Sequence, residues 1–149
     1  MKQKLLAAVA CLFISSPALA MTETECADMW TKADANADGT LTAAESERYS
    51  AWMRVAEKSM AADGAINEAM FKENCMADVF VTASVDEGAP LEGANSFTEG
   101  QAQDRIIAAG LTAPSTLTKD DKGIWRGTAT EGGESMEVAV DYKGNVVTK

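Results

Sequence analysis

The chain has 149 residues, with 13 Lys and Arg against 23 Asp and Glu and no His, for a net charge of −10. Without an imidazole there is no Ser–His triad, no histidine zinc site and no histidine general base. The acidic balance repels phosphate backbones and anionic lipid and draws cations instead, so a nucleic-acid partner is disfavoured.

The first twenty residues, MKQKLLAAVACLFISSPALA, are laid out as an export signal. Lys2 and Lys4 precede an apolar run from Leu5 to Ile14, and Ala18-Leu19-Ala20 offers small residues for cleavage. The run is shorter than the ~20 apolar residues a bilayer span needs, so no membrane span is expected after cleavage. A lipoprotein cut at Cys11 would leave too little apolar sequence before it. The expected product starts near Met21 and is periplasmic or secreted. Losing residues 1–20 removes two lysines and no acid, which leaves 11 basic and 23 acidic side chains, a net of −12. Of three cysteines only Cys26 and Cys75 remain. An even pair in an oxidising compartment reads as a disulfide, worth about 4 kcal/mol for a loop of ~50 residues in the chain-entropy model. Two buried thiols are the alternative.

Residues 21–81 carry helical periodicity. Thr22-x-x-Glu25 is a capping box, and Cys26, Met29, Trp30 and Ala33 follow on one face. A second capping box, Thr42-x-x-Glu45, opens another helix with Tyr49, Trp52, Met53 and Ala56 along its stripe. Ala61 to Asn67 reads as a turn, and a third helix sets Phe71, Cys75 and Val79 on one ridge. A Cys26–Cys75 bond would tie the first helix to the third across the second. Met29, Met53, Met70 and Met76 fall within these amphipathic helices as core filling.

Between the first two helices lies Asp34-Ala-Asn-Ala-Asp-Gly-Thr-Leu-Thr-Ala-Ala-Glu45. Calcium takes six to eight hard oxygens, which a twelve-residue loop supplies from positions 1, 3, 5, 7, 9 and 12. Those positions hold Asp34, Asn36, Asp38, Thr40, Thr42 and Glu45, with Gly39 at the sharp turn and Leu41 facing the core. The segment resembles an EF-hand at every constrained position. The resemblance implies one side-chain oxygen from each of Asp34, Asn36 and Asp38, the Thr40 carbonyl, Thr42 through water or its hydroxyl, and both oxygens of Glu45. An acidic surface turn accounts for Asp38-Gly39 but not for the full register.

Ser59 to Met70 repeats the Asp-Gly-x-Ile core as Asp63, Gly64 and Ile66, but Ser59, Ala61 and Met70 stand at positions 1, 3 and 12, where the oxygens of the cage are missing. This degenerate loop cannot cage calcium. Two arrangements are open. Either helix two ends early and Ile66 pairs beside Leu41, or one long helix holds the loops more than ~20 Å apart. A single site binds without cooperativity, with an affinity of roughly 10⁻⁵ to 10⁻³ M suited to extracellular calcium.

Residues 82–95, rich in Gly, Ala and acids with Pro90, read as a linker. From residue 96 to 149 a capping box at Thr98-x-x-Gln101 starts a helix through Ala102 and Ile106 that stops at Gly110. Strand-like runs follow, separated by turns at Asp121-Lys122-Gly123, Gly132-Gly133 and Lys143-Gly144-Asn145. Met136, Val138, Val140 and Tyr142 share one parity and Ser135, Glu137 and Asp141 the other, which predicts a sheet covered on one face. Trp125 and Tyr142 are expected in its core, and Arg126 at its rim or in solvent.

The predicted fold class is α+β: a helical unit with one intact and one degenerate loop, then a helix on an antiparallel sheet. The stretches SFTEGQAQDRIIAAGL, LTKDDKGIWRGTA and VAVDYKGNVV resemble small exported bacterial PepSY-like domains. That resemblance implies a non-catalytic binding or restraining role towards a protease or another envelope protein. The expected function is therefore calcium binding in the bacterial envelope, with calcium either a signal or a structural staple. A small carboxylate-based hydrolase is the enzymatic rival.

Overall fold

The structure is a computed structural model that describes residues 21–80, 85–86 and 88–149. The export-signal reading of residues 1–20 lies outside them. The chain is α+β, with three helices, a two-stranded sheet, and then a helix against a larger sheet.

Helix α1 (Glu23–Ala33) starts on the expected capping box: Thr22 accepts from the Glu25 N–H, and the Glu25 carboxylate accepts from the Thr22 N–H. α2 spans Ala43–Val55 and α3 Glu68–Met76, the latter capped by the Asn67 side chain on the Met70 N–H. Cys26 and Cys75 are joined, and this bond links α1 directly to α3, which pack side by side without α2 between them. Trp30, Tyr49, Trp52, Phe71 and Phe80 form an aromatic core with neighbouring ring centroids 4.8–5.8 Å apart, most of them edge to face. Met53 is buried here, and Met29 and Met70 are packed partly against it. Met76 is not core: at 44 % exposure it points away from the ridge that buries Phe71 and Cys75.

The two loops do pair. Strands β1 (Thr40–Leu41) and β2 (Ile66–Asn67) run antiparallel with Leu41 opposite Ile66 and Thr40 opposite Asn67. Both apolar residues are fully buried, which holds the register. Space for this comes from α2 ending at Val55, where Glu57 turns through a left-handed φ of +54° and the chain runs back.

In the second half α4 (Glu99–Ala108) has the predicted capping box and ends into Gly110 at φ +97°. It lies on a five-stranded sheet of order β3-β7-β6-β5-β4, where β3 is Val85–Asp86, β4 Thr118–Lys119, β5 Trp125–Glu131, β6 Glu134–Val140 and β7 Val146–Thr148. The three predicted turns connect β4 to β5, β5 to β6 and β6 to β7. Ala102, Ile106, Leu111, Leu117, Ala129, Val138, Val140 and Val146 make the core between helix and sheet. Trp125 packs partly against it and donates its indole N–H to the Phe97 carbonyl.

Four expectations for this half need correction. Tyr142 lies past the end of β6 and is 38 % exposed, stacked against Gly93. Ala139, of the supposedly wet parity, is buried, because β7 places Val147 beside it. Asp141, also assigned to the wet face, is 1 % exposed. Finally, the described part of 82–95 is bonded to the sheet: β3 pairs parallel with β7, the Leu91 N–H donates to Asp141, and the Gly93 N–H donates to the Lys122 carbonyl.

The two halves touch through α2 and α4. Arg54 pairs with Asp104 at 2.6 Å, Ala108 joins the aromatic core, and Ile107 packs against it. α2 thus buries Ala51, on the side of the helix away from its apolar stripe, as well as the stripe itself.

Candidate functional site

The loop from Asp34 to Glu45 opens on one backbone turn, in which the Ala37 N–H donates to the Asp34 carbonyl, and is then coiled by side-chain acceptors. Asp34 closes α1, donating its N–H to the Trp30 carbonyl, and its side chain turns into the loop with 8 % exposure. One carboxylate oxygen accepts the Asp38 N–H at 3.1 Å and the other the Gly39 N–H at 3.0 Å. Asn36 Oδ1 also accepts the Asp38 N–H, at 2.9 Å, while its amide donates to Asp38 Oδ2 at 3.0 Å. Asp38 Oδ1 accepts the Thr40 N–H at 2.9 Å. These bonds coil residues 34–40 so that the acidic side chains turn back over their own backbone. Gly39 takes φ +83°, where an L side chain is disfavoured, and Ala37 takes +56° without that freedom.

Glu45 decides the shape. Its Oε1 accepts the Ala35 N–H at 3.1 Å and the Asn36 N–H at 3.3 Å, so the last residue of the loop reaches back to the second and third. The capping box expected at Thr42 is not formed. Thr42 is the N-cap of α2, but the Glu45 N–H donates to its carbonyl and not to its hydroxyl, and the Glu45 side chain that would complete the box is spent on Ala35 and Asn36. Thr40 sits in β1, which ties the loop to its degenerate neighbour.

All six residues singled out from sequence thus lie on one short loop, and Asp34, Asn36, Asp38 and Glu45 are joined by one hydrogen-bond network. Among the described residues no three Asp, Glu, Cys or His side chains converge closely enough to enclose an ion as placed; each carboxylate is drawn to a different set of loop N–H groups. The donor set nonetheless fits a hard cation. It is all oxygen, three of its members are carboxylates, and each Asp34 oxygen carries one hydrogen bond where it has room for about two. Glu45 Oε2 has no hydrogen-bond partner among the described residues.

The neighbouring loop shows what these oxygens add. Asp63 there accepts the Ala65 N–H at 3.1 Å, Gly64 takes φ +74°, and Asn67 caps α3. The turn geometry is repeated without carboxylates at either end.

One polar residue escaped the sequence reading. Asp141 accepts from the Lys143 and Asn145 N–H groups on one oxygen and from the Leu91 N–H and Asn145 amide on the other. Burial pushes its pKa up, but the Asn145 amide and the backbone N–H groups of Leu91, Asn145 and Lys143 outweigh it, so the carboxyl lies below the ordinary range. Asp-x-x-Gly-Asn signals the local turn. Nothing local signals that Leu91 completes it.

Compared with known proteins, the sequence matches no family model, and neither a curated protein nor a solved structure is significantly similar to the chain.

Proposed function

We propose that this is an exported, non-catalytic calcium-binding protein with one EF-hand-like site at residues 34–45, joined to a PepSY-like module that binds or regulates an envelope protein. The observation that carries the reading is the return of Glu45 to the N–H groups of Ala35 and Asn36, which brings the twelfth position of the loop against its second and third. Asp34, Asn36, Asp38 and Glu45 would hold the ion through side-chain oxygens, Thr40 through its carbonyl, and Thr42 through its hydroxyl or a water. When bound, the ion supplies a double positive charge that offsets three otherwise repelling carboxylates.

The protein's own part is to prearrange the loop. Leu41 and Ile66 clamp its middle to the second loop, and the disulfide clamps the helices on which both loops stand. Glu45 is in the first turn of α2, and α2 is the helix that packs on α4. A change in how Glu45 is held therefore bears on the contact between the two halves, which supports a regulatory over a purely passive role.

Isothermal titration of the chain starting at Met21 tests the proposal. A saturable heat with one site is expected, weakened at least tenfold by Glu45→Gln. A flat trace at millimolar calcium overturns it.

A further inference from the structure

We propose that the cleft between the two halves binds a small carboxylate with an apolar body. This cleft, of about 520 Å³, is walled by Trp52 and Val55 of α2, Val79 after α3, and Ala108 of α4. Its charged residues are Lys58, Arg105, Lys143 and Asp78. Three cations around one opening are unusual on a chain with 23 acidic and 13 basic side chains. None of the three pairs with a carboxylate among the described residues.

Arg105 is the least exposed of the three cations. Its guanidinium stacks 4.0 Å over the Phe97 ring and lies against Gly144, where a β-carbon would collide with it. It is half-buried, and its neighbour Asp104 is committed to Arg54. Burial pulls its pKa down, only partly countered by Asp104. A partly desolvated guanidinium without an acceptor gains from an incoming anion what it lost on leaving water. Asp78 does not supply that anion, since it accepts the Met21 N–H at 3.2 Å. Trp52, Val55, Val79 and Ala108 give a hydrocarbon or aryl body a surface beside the charges, as in small-ligand sites generally.

Octanoate titrated into the chain starting at Met21, with octanol as neutral control, tests this. The fold is kept in Lys58→Gln and Lys143→Gln, both exposed positions. Saturable binding of octanoate alone is expected, weakened about threefold by either variant and about tenfold by both together. Arg105→Gln should weaken it further. No octanoate binding, equal binding of octanol, or an unchanged affinity in the double variant overturns the proposal. The calcium reading is untouched by any of these results, because Glu45→Gln leaves every cleft residue in place.

A separate observation concerns Met21. We infer that export processing creates an ion pair that fastens the N-terminus to the turn after α3; this rests on the export reading. The Met21 nitrogen donates to Asp78 Oδ1, its side chain packs partly into the aromatic core, and its sulfur is 3.9 Å from Cys75 Sγ. Hydrolysis of the Ala20–Met21 bond by water leaves a carboxylate on Ala20 and turns that nitrogen into an ammonium beside a carboxylate. Thermal unfolding of the chain starting at Met21, against one with Gly-Ser before Met21, should show a Tm about 3 °C higher for the free terminus. Asp78→Asn should erase the difference. Equal Tm values, a difference that survives Asp78→Asn, or N-terminal sequencing of exported protein that begins elsewhere overturns the inference.

Discussion

Asp34 and Asp141 are both aspartates that end a regular element, both are nearly or fully buried, and both gather backbone N–H groups from the turn that follows. They differ in what is left over. A carboxylate offers about four lone-pair directions. Asp141 fills all four, two from its own turn, one from the Asn145 amide and one from Leu91 fifty residues earlier. Asp34 fills two, and its surroundings are further acidic oxygens instead of further donors. A saturated carboxylate is an anchor. A half-satisfied one among other oxygens has lone pairs to spare for the calcium ion proposed above.

The largest expected effect comes from breaking the anchor. Asp141→Asn removes charge-assisted acceptors from four donors and should cost about 3 kcal/mol in denaturant unfolding, with calcium heats per folded molecule unchanged. The same residue should govern the acid limb. Because its folded pKa is depressed below the ordinary 3.8, the native state holds fewer protons than the unfolded one. Its contribution is therefore complete above that ordinary value and is lost as pH falls through the lower folded one. Asp141→Asn should flatten stability against pH in that range, and an unchanged acid limb would show that the carboxylate does not act as an anchor.

Next in size is the ligand. Asp34→Asn should weaken calcium binding about a hundredfold, near 2.7 kcal/mol, while unfolding in chelator shifts by only about 1 kcal/mol. A loss of stability as large as that of Asp141→Asn would erase the distinction between the two sites. The smallest effect sharpens the loop itself. Ala37 holds φ +56° in open solvent, so Ala37→Asn should relieve left-handed strain and raise the unfolding free energy by about 1 kcal/mol, with calcium affinity kept or improved.

Much of this was readable along the chain because it is local. The capping boxes at Thr22 and Thr98 need only residues three apart, and both form. The glycine-marked turns need only a backbone that tolerates positive φ, and they fall between strands as expected. The Cys26–Cys75 bond, expected from an even count of cysteines after residue 20, forms as well. Where two local motifs compete for one side chain, spacing alone does not choose: Thr42-x-x-Glu45 satisfies the capping-box pattern, yet Glu45 serves Ala35 and Asn36. Parity failed in the same way at Asp141 and Ala139, since a face counts as wet only until another segment crosses it.

By itself the sequence determined the helices and hairpins, the six oxygen-bearing positions from Asp34 to Glu45, and the α+β order, since each depends on neighbours a few residues apart. Tertiary structure alone decided that Leu41 meets Ile66, that Val85–Asp86 joins the sheet and Leu91 bonds to buried Asp141, and that α2 packs on α4 to leave a cationic cleft between the halves. These outcomes depend on segments far apart in sequence competing to cover the same apolar faces, and that competition is settled only when the whole core closes.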